Sequence, residues 1–272
     1  AAAWLFYKNN ARSISMLPNP MFWGIEIGWY ALFQYTSVVF VLVVGAWLYA
    51  AKWTEKWDAM DSCVLFWIAG FLALSGSRII GYLEHYLAFG NYLPIQALWQ
   101  LPHHGHFSWC GALLFLILFL PPVAKKILGA VNYWSYLDFV AINLCLLPVV
   151  AKQGCLFAGD GCYGIPTTLP WGMHFAYGAA PSLLPVHPTP IYDGIFNALL
   201  FICLLQANSI KKYSGQIAMG YFGLSSCYYM VMEFLRINPK VWTIFTLPQL
   251  TYFVVLAITL YRHRAIYYSR NC

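Results

Sequence analysis

Eight ionisable residues, Arg78, Glu84, Asp138, Lys152, Asp160, Asp193, Glu233 and Arg236, lie within or at the ends of long apolar runs. An ionisable side chain in hydrocarbon costs several kcal/mol unless it is paired or hydrated, so each is a candidate for chemistry or for an ion pair that fixes helix register. Arg78, Glu84, Lys152, Asp160, Asp193 and Arg236 would all approach the same ends of their helices. Cations converging with carboxylates at headgroup depth suit a lipid phosphate. Beside Lys152 runs QGCLFAGDGCYGIPTTLPW (153–171), an apolar segment broken by glycines, an aspartate and two cysteines. Backbone that unwinds at membrane depth must be buried in protein or line a wet cavity. Function is therefore expected at this stretch.

The elements that must hold these residues follow from composition. The chain is 61% hydrophobic and 19% aromatic, only 9% of its residues are charged, and its mean hydropathy is +0.63. Soluble domains carry roughly 25% charged residues, so this is the profile of a polytopic membrane protein. Apolar runs near 28–50, 61–80, 107–124, 137–157, 191–208, 215–235 and 243–261 predict seven transmembrane helices in one all-α domain, residues 1–272. Two long loops, 81–106 and 158–190, would cap one face. The opening residues AAAWLFYKNNARS lack the basic start and apolar core of a secretory signal.

Orientation comes from the basic residues. Lys52, Lys56, Lys125, Lys126, Lys211, Lys212, Arg262, Arg264 and Arg270 fall on one side of a seven-span arrangement. By the positive-inside rule that side is cytoplasmic, with the N-terminus outside, the C-terminus inside and the loops forming an outer cap. The +6 formal charge is then a topological signal, and no nucleic-acid partner is expected. A retinal protein would need a lysine in the last span, and 243–261 has none. A membrane cytochrome needs histidines within helices, but the histidines fall in loops or after the last span. LPHHGHF (101–107) could bind a metal, though without fixed helical spacing interfacial histidines are the plainer reading; no metal and no cofactor are expected. The cysteines read mostly as small buried hydrophobes; only Cys155 and Cys162, flanking the glycine-rich turn, could pair. The many Trp and Tyr residues fit headgroup-level belts, or in part docking against other membrane subunits.

Six segments in order resemble the bacterial prolipoprotein diacylglyceryl transferase family: GIEIGWYALF (24–33), SGSRIIGYLEHY (75–86), GHFSWCGALL (105–114), LDFVAINLCLLPVVAKQGCLFAGDGCYG (137–164), LPVHPTPIYDGIFNALL (184–200) and GYFGLSSCYYMVMEFLRINP (220–239). The resemblance implies a multi-pass protein of the bacterial plasma (inner) membrane. It would move diacylglycerol from phosphatidylglycerol, or another anionic phospholipid, to the thiol of a lipobox cysteine in a lipoprotein precursor. Tyr30, Arg78, Asp138, His187, Pro188, Tyr192, Glu233 and Arg236 stand where the family has the same residues. Elsewhere the chain departs: the family histidine aligns with Cys110, the signature arginine with Lys152, the signature asparagine with Cys155 and the signature glutamate with Asp160. The glutamate after His-Pro aligns with Asp193, and a sixth-span arginine with Tyr229.

On this reading Arg78, Lys152 and Arg236 hold the lipid phosphate, and Tyr30 reaches the headgroup. Cys110, Lys152, Asp160 and Tyr229 are the catalytic candidates, supported by Asp138, Asp193, Glu233, His187 and Tyr192. Arginine to lysine is not conservative where phosphate is gripped bidentately. The sequence therefore leaves three outcomes open: a working transferase, a catalytically lapsed paralogue that binds lipid or serves as a subunit of a larger membrane complex, or a different reaction at the same lipid site.

Overall fold

The computed structural model describes residues 21–22, 25–26, 28–51, 53, 58–89, 108–178, 180–237 and 245–271. Seven helices dominate: α1 (Trp29–Ala51), α2 (Ala59–Phe89), α3 (Trp109–Leu128), α4 (Ala130–Ala158), α5 (Thr189–Asn208), α6 (Gln216–Met232) and α7 (Leu247–Asn271). A short antiparallel hairpin, β1 (Met21–Phe22) with β2 (Ile25–Glu26), precedes α1. A second, β3 (Met173–Phe175) with β4 (Ser182–Val186), lies in the long loop between α4 and α5.

Each predicted apolar run is a helix, but several boundaries differ. α2 continues through Phe89, so residues 81–89 are helical where a loop was expected. Glu84 and His85 end the apolar run without ending the backbone ladder, and at 31 residues α2 is about 46 Å long. Residues 90–107, with LPHHGHF, lie outside the described residues, as do Lys52 and Lys56. α4 starts seven residues earlier than its apolar run, through the amphipathic NYWSYL stretch, and α7 runs ten residues beyond Tyr261. α6 stops at Met232, which leaves Glu233 and Arg236 in the turns after it rather than inside a span. Among the described residues five helices, α1 to α5, are long and apolar enough to cross a membrane.

α4 is the hub. It packs against α1, α3, α5 and α6, while α2 packs on α3 and α7 on α6. One buried cluster joins Leu48, Ile142, Cys145, Leu200, Leu204 and Ile217 from four helices. Another joins Leu65, Ala124, Leu128 and Tyr133. Apolar area alone does not drive helices together in lipid, so small residues that admit close backbones matter more. A Cβ on Gly76 would sit 2.3 Å from the Gly111 carbonyl oxygen, and one on Gly111 2.2 Å from that of Gly76. No larger side chain fits this crossing of α2 and α3. Pro121, Pro122 and Pro148 lie inside α3 and α4, as transmembrane helices tolerate when neighbours satisfy the freed carbonyls.

Candidate functional site at the end of the central helix

The site is built where α4 ends. Gly159 caps it in the left-handed conformation (φ 58°), its N–H donating to the Cys155 carbonyl at 3.0 Å. The loop beyond folds back and is tied down on both sides. Gly164 donates to the His187 carbonyl and Ile165 to the Leu235 carbonyl, at 2.8 and 2.7 Å. Gly164 also bridges Arg236 in antiparallel fashion. A Cβ at Gly164 would lie 2.5 Å from the Leu235 carbonyl oxygen, so glycine is needed for this approach. The Thr189 hydroxyl, at the start of α5, donates to the Cys162 carbonyl. Tyr163, Phe175 and Val186 form a small core beneath the hairpin. The glycines in 153–171 thus let the loop lock the start of α5 to the end of α6.

Two helices and the turns after a third then contribute charge to one point. Lys152 Nζ lies 3.2 Å and Arg236 Nη2 2.6 Å from the same oxygen, Oδ2 of Asp193. Asp193 is fully buried, and Tyr228 donates its hydroxyl to Oδ1 at 3.2 Å. Arg236 Nη1 is also 4.0 Å from Glu233, whose other oxygen accepts from Thr246 at 3.1 Å. The side chains of Lys152 and Arg236 keep 24% and 19% of their surface exposed. The cations are thus mostly buried, with a minority of their side-chain surface exposed. Tyr229 stands under Arg236, whose guanidinium carbon is 5.7 Å from the ring centroid, and stacks on Tyr252. Its hydroxyl accepts from Asn197 at 2.9 Å. An aromatic face therefore lies under the guanidinium at this position.

The remaining expected residues divide. Tyr30, on α1, is half exposed and lies within electrostatic reach of Lys152, Cys155, Asp160 and Cys162. His187 and Trp171 both hydrogen-bond the Tyr192 hydroxyl, at 3.3 and 2.7 Å, and brace the loop beside Asp193. Asp160, a catalytic candidate from the sequence, makes no ion pair with the cations. Its Oδ1 accepts the Cys162 N–H at 3.0 Å, because the turn at Gly161 doubles the chain back on itself. Cys155 and Cys162 are free thiols. A hydrogen bond from Cys155, aided by the charge of Lys152, holds the Cys162 thiol below its ordinary range.

Arg78 is buried on α2 beside the α3 start, where Ser108 donates to the Ser77 carbonyl, and it is not among the partners of Asp193. Cys110 is buried in the first turn of α3, within electrostatic reach of Tyr252. The side chain of Glu84 lies outside the described residues.

Asp138, expected as a supporting residue and not among the charges at the shared helix ends, stands apart from the cluster. Fourteen residues before Lys152 on the same helix, it sits about 21 Å away at the opposite end of α4. There it accepts from the backbone of Gly215 and Ala218, at 2.8 and 2.9 Å, and pairs with Lys211 at 3.3 Å. It satisfies the N-terminus of α6 and has no part in the charged cluster. Asn197, Tyr228 and Thr246 belong to the cluster but were not expected. Asn197 follows Asp193 by one helical turn, a polar pair in an apolar helix that could have flagged it. Nothing in the sequence separates Tyr228 from its many aromatic neighbours.

Fold and site together define a helical membrane protein with a buried charged cluster where its central helix meets a glycine-rich loop. A family model of prolipoprotein diacylglyceryl transferases matches residues 20–263, and the chain belongs to that family. It is 27% identical over 248 residues to the phosphatidylglycerol–prolipoprotein diacylglyceryl transferase of Campylobacter lari, covering 85% of this chain and 84% of that one. The enzyme of the same name from Bordetella avium is 28% identical over 223 residues, 78% of each chain. That of Leptospira interrogans is 32% identical over 143 residues, 51% of this chain and 44% of the relative. In that last comparison the chain spans less than half the relative's length.

Proposed function

We propose that this chain binds an anionic phospholipid at the Lys152–Asp193–Arg236 cluster. We further propose that it transfers the diacylglyceryl group of phosphatidylglycerol to the cysteine thiol of a lipoprotein precursor, releasing glycerol phosphate. The observation that carries this reading is the meeting of Lys152, from α4, and Arg236, from the turns after α6, on one buried Asp193 oxygen, with part of each cationic side chain still exposed. Asp193 positions the cations; the cations hold the phosphate as negative charge gathers on it in the transition state. Tyr30 reaches the headgroup from α1. Cys110 takes the place of the family imidazole and Tyr229 of its arginine. The relatives of the same name support the substrate and the acceptor.

The chain is read as one seven-span domain of the bacterial plasma (inner) membrane, N-terminus outside. In support, Lys125 and Arg262 both lie over the Trp134 ring, and Lys211 over Trp53, so basic residues of the last turn of α3, of α7 and of the α5–α6 connection gather at the Asp138 end of the bundle. The Asp193 cluster lies at the other end, on the outer side.

One observation favours the lapsed paralogue as a second reading. Lys152 and Arg236 are matched by Asp193 and Glu233, two positive against two negative charges, so this cluster can donate hydrogen bonds to a headgroup but has no net positive charge with which to stabilise the charge that gathers on a leaving phosphate. Tyr229 supplies none where the family has an arginine.

Expression in cells depleted of their own transferase separates the two. Rescue of growth supports the enzyme; failure despite good membrane expression removes it. Mass spectrometry of co-purified lipid then tests what both readings share, since Lys152→Ala and Arg236→Ala should each lose bound anionic phospholipid.

A further inference from the structure

Beside the phosphate cluster, and not used by it, three soft or anionic donors meet: Cys155 Sγ, Cys162 Sγ and a carboxylate oxygen of Asp160 all lie within 4.8 Å of one another. Cys155 projects from the last turn of α4 and is buried. The glycine turn brings Cys162 back onto it. The Cys162 N–H occupies one Asp160 oxygen, fixing the carboxylate while leaving its second oxygen to act as a ligand. The Ala180 N–H bonds the Gly159 carbonyl at 2.8 Å and the Thr189 hydroxyl bonds that of Cys162, so the backbone carrying the donors is held from both sides.

We propose that Cys155, Asp160 and Cys162 form a binding site for one thiophilic divalent cation of the zinc class. Two sulfurs and one oxygen are a donor set that selects such a metal over magnesium or calcium. Zinc bonds of about 2.3 Å to sulfur and about 2.0 Å to oxygen place tetrahedral ligand atoms somewhat under 4 Å apart. The donors need only close by a rotamer adjustment. Binding converts both thiols to thiolates and releases two protons to solvent. Two thiolates and a carboxylate around a dication leave one net negative charge, and Lys152, one helical turn before Cys155, lies within electrostatic reach of both sulfurs to offset it. Three protein donors leave one tetrahedral position for water or an external thiolate. The site does not depend on the transferase reading, since two of its three donors stand where the family signature has asparagine and glutamate.

The test uses the full chain, purified in detergent, reduced with a phosphine and stripped with a chelator. Titration with Co²⁺ should give one equivalent bound with thiolate-to-cobalt charge-transfer absorption, displaced stoichiometrically by Zn²⁺. Cys162→Ser and Asp160→Asn should each weaken binding by at least about tenfold, while Cys145→Ser, buried elsewhere in α4, should not. If the variants fold poorly, the wild-type chain gives the same answer by alkylation: Zn²⁺ should shield Cys155 and Cys162 from iodoacetamide in peptide mass spectra. Absence of the charge-transfer band, cobalt binding unchanged in Cys162→Ser, no shielding, or a Cys155–Cys162 disulfide in protein extracted from membranes would each overturn the proposal.

Discussion

Gly164 and Arg236 face each other across an antiparallel bridge that joins the loop after α4 to the turn after α6. The bridge fixes the backbone of Arg236 within reach of Asp193, which a long flexible side chain leaving a helix end would not reach reliably. The loop therefore acts on the charged cluster through backbone geometry.

If so, Gly164→Ala should damage the site from a distance. The new Cβ would lie 2.5 Å from the Leu235 carbonyl oxygen and 3.0 Å from the His187 Cβ. Forcing the strands apart should cost about 1–3 kcal/mol. A lower thermal midpoint in detergent, together with loss of co-purified anionic phospholipid, is expected; a fully wild-type profile would show that the bridge does not position Arg236.

Asp193→Asn removes the carboxylate that Lys152, Arg236 and Tyr228 share. Leaving buried charge without its partner destabilises by on the order of 3 kcal/mol, reduced here because both cations keep some access to solvent. The melting temperature should drop more than for Glu233→Gln, since Glu233 lies 4.0 Å from the guanidinium and has Thr246 as a second partner.

Asp138→Ala should separate stability from function. The substitution deprives the backbone N–H groups of Gly215 and Ala218 of their acceptor and Lys211 of its partner. A loss of about 1–3 kcal/mol is expected with lipid retention unchanged, because the residue sits at the far end of α4. Loss of bound lipid at unchanged melting temperature would contradict this placement.

Tyr229→Phe removes the hydroxyl that accepts from Asn197 while keeping the ring under Arg236. A cost of about 1 kcal/mol is expected, with lipid binding preserved. Tyr229→Arg adds the charge that the cluster lacks, and should raise the recovery of anionic phospholipid in the same mass-spectrometric assay.

The sequence by itself determined seven helical segments, because apolar runs of membrane length have few other folded forms, and it singled out Lys152, Asp193, Glu233 and Arg236, because charges in such runs are costly. It also supplied the family motifs, in order. It grouped Arg78, Glu84, Lys152, Asp160, Asp193 and Arg236 at one set of helix ends, but it could not say which of these touch or what partner Asp138 would find. Asp138 and Lys152 lie on one helix in the same apolar setting, yet they occupy opposite ends of it with different partners. Only the packing of α5 and α6 around α4 decided that Lys152 meets Asp193 while Asp138 caps α6. The same packing brought in Tyr228, Asn197 and Thr246. The glycine-rich loop turned Asp160 away from the cations and toward two thiols. Such choices rest on contacts between residues distant in sequence, and local pattern carries no record of which distant side chain will stand opposite.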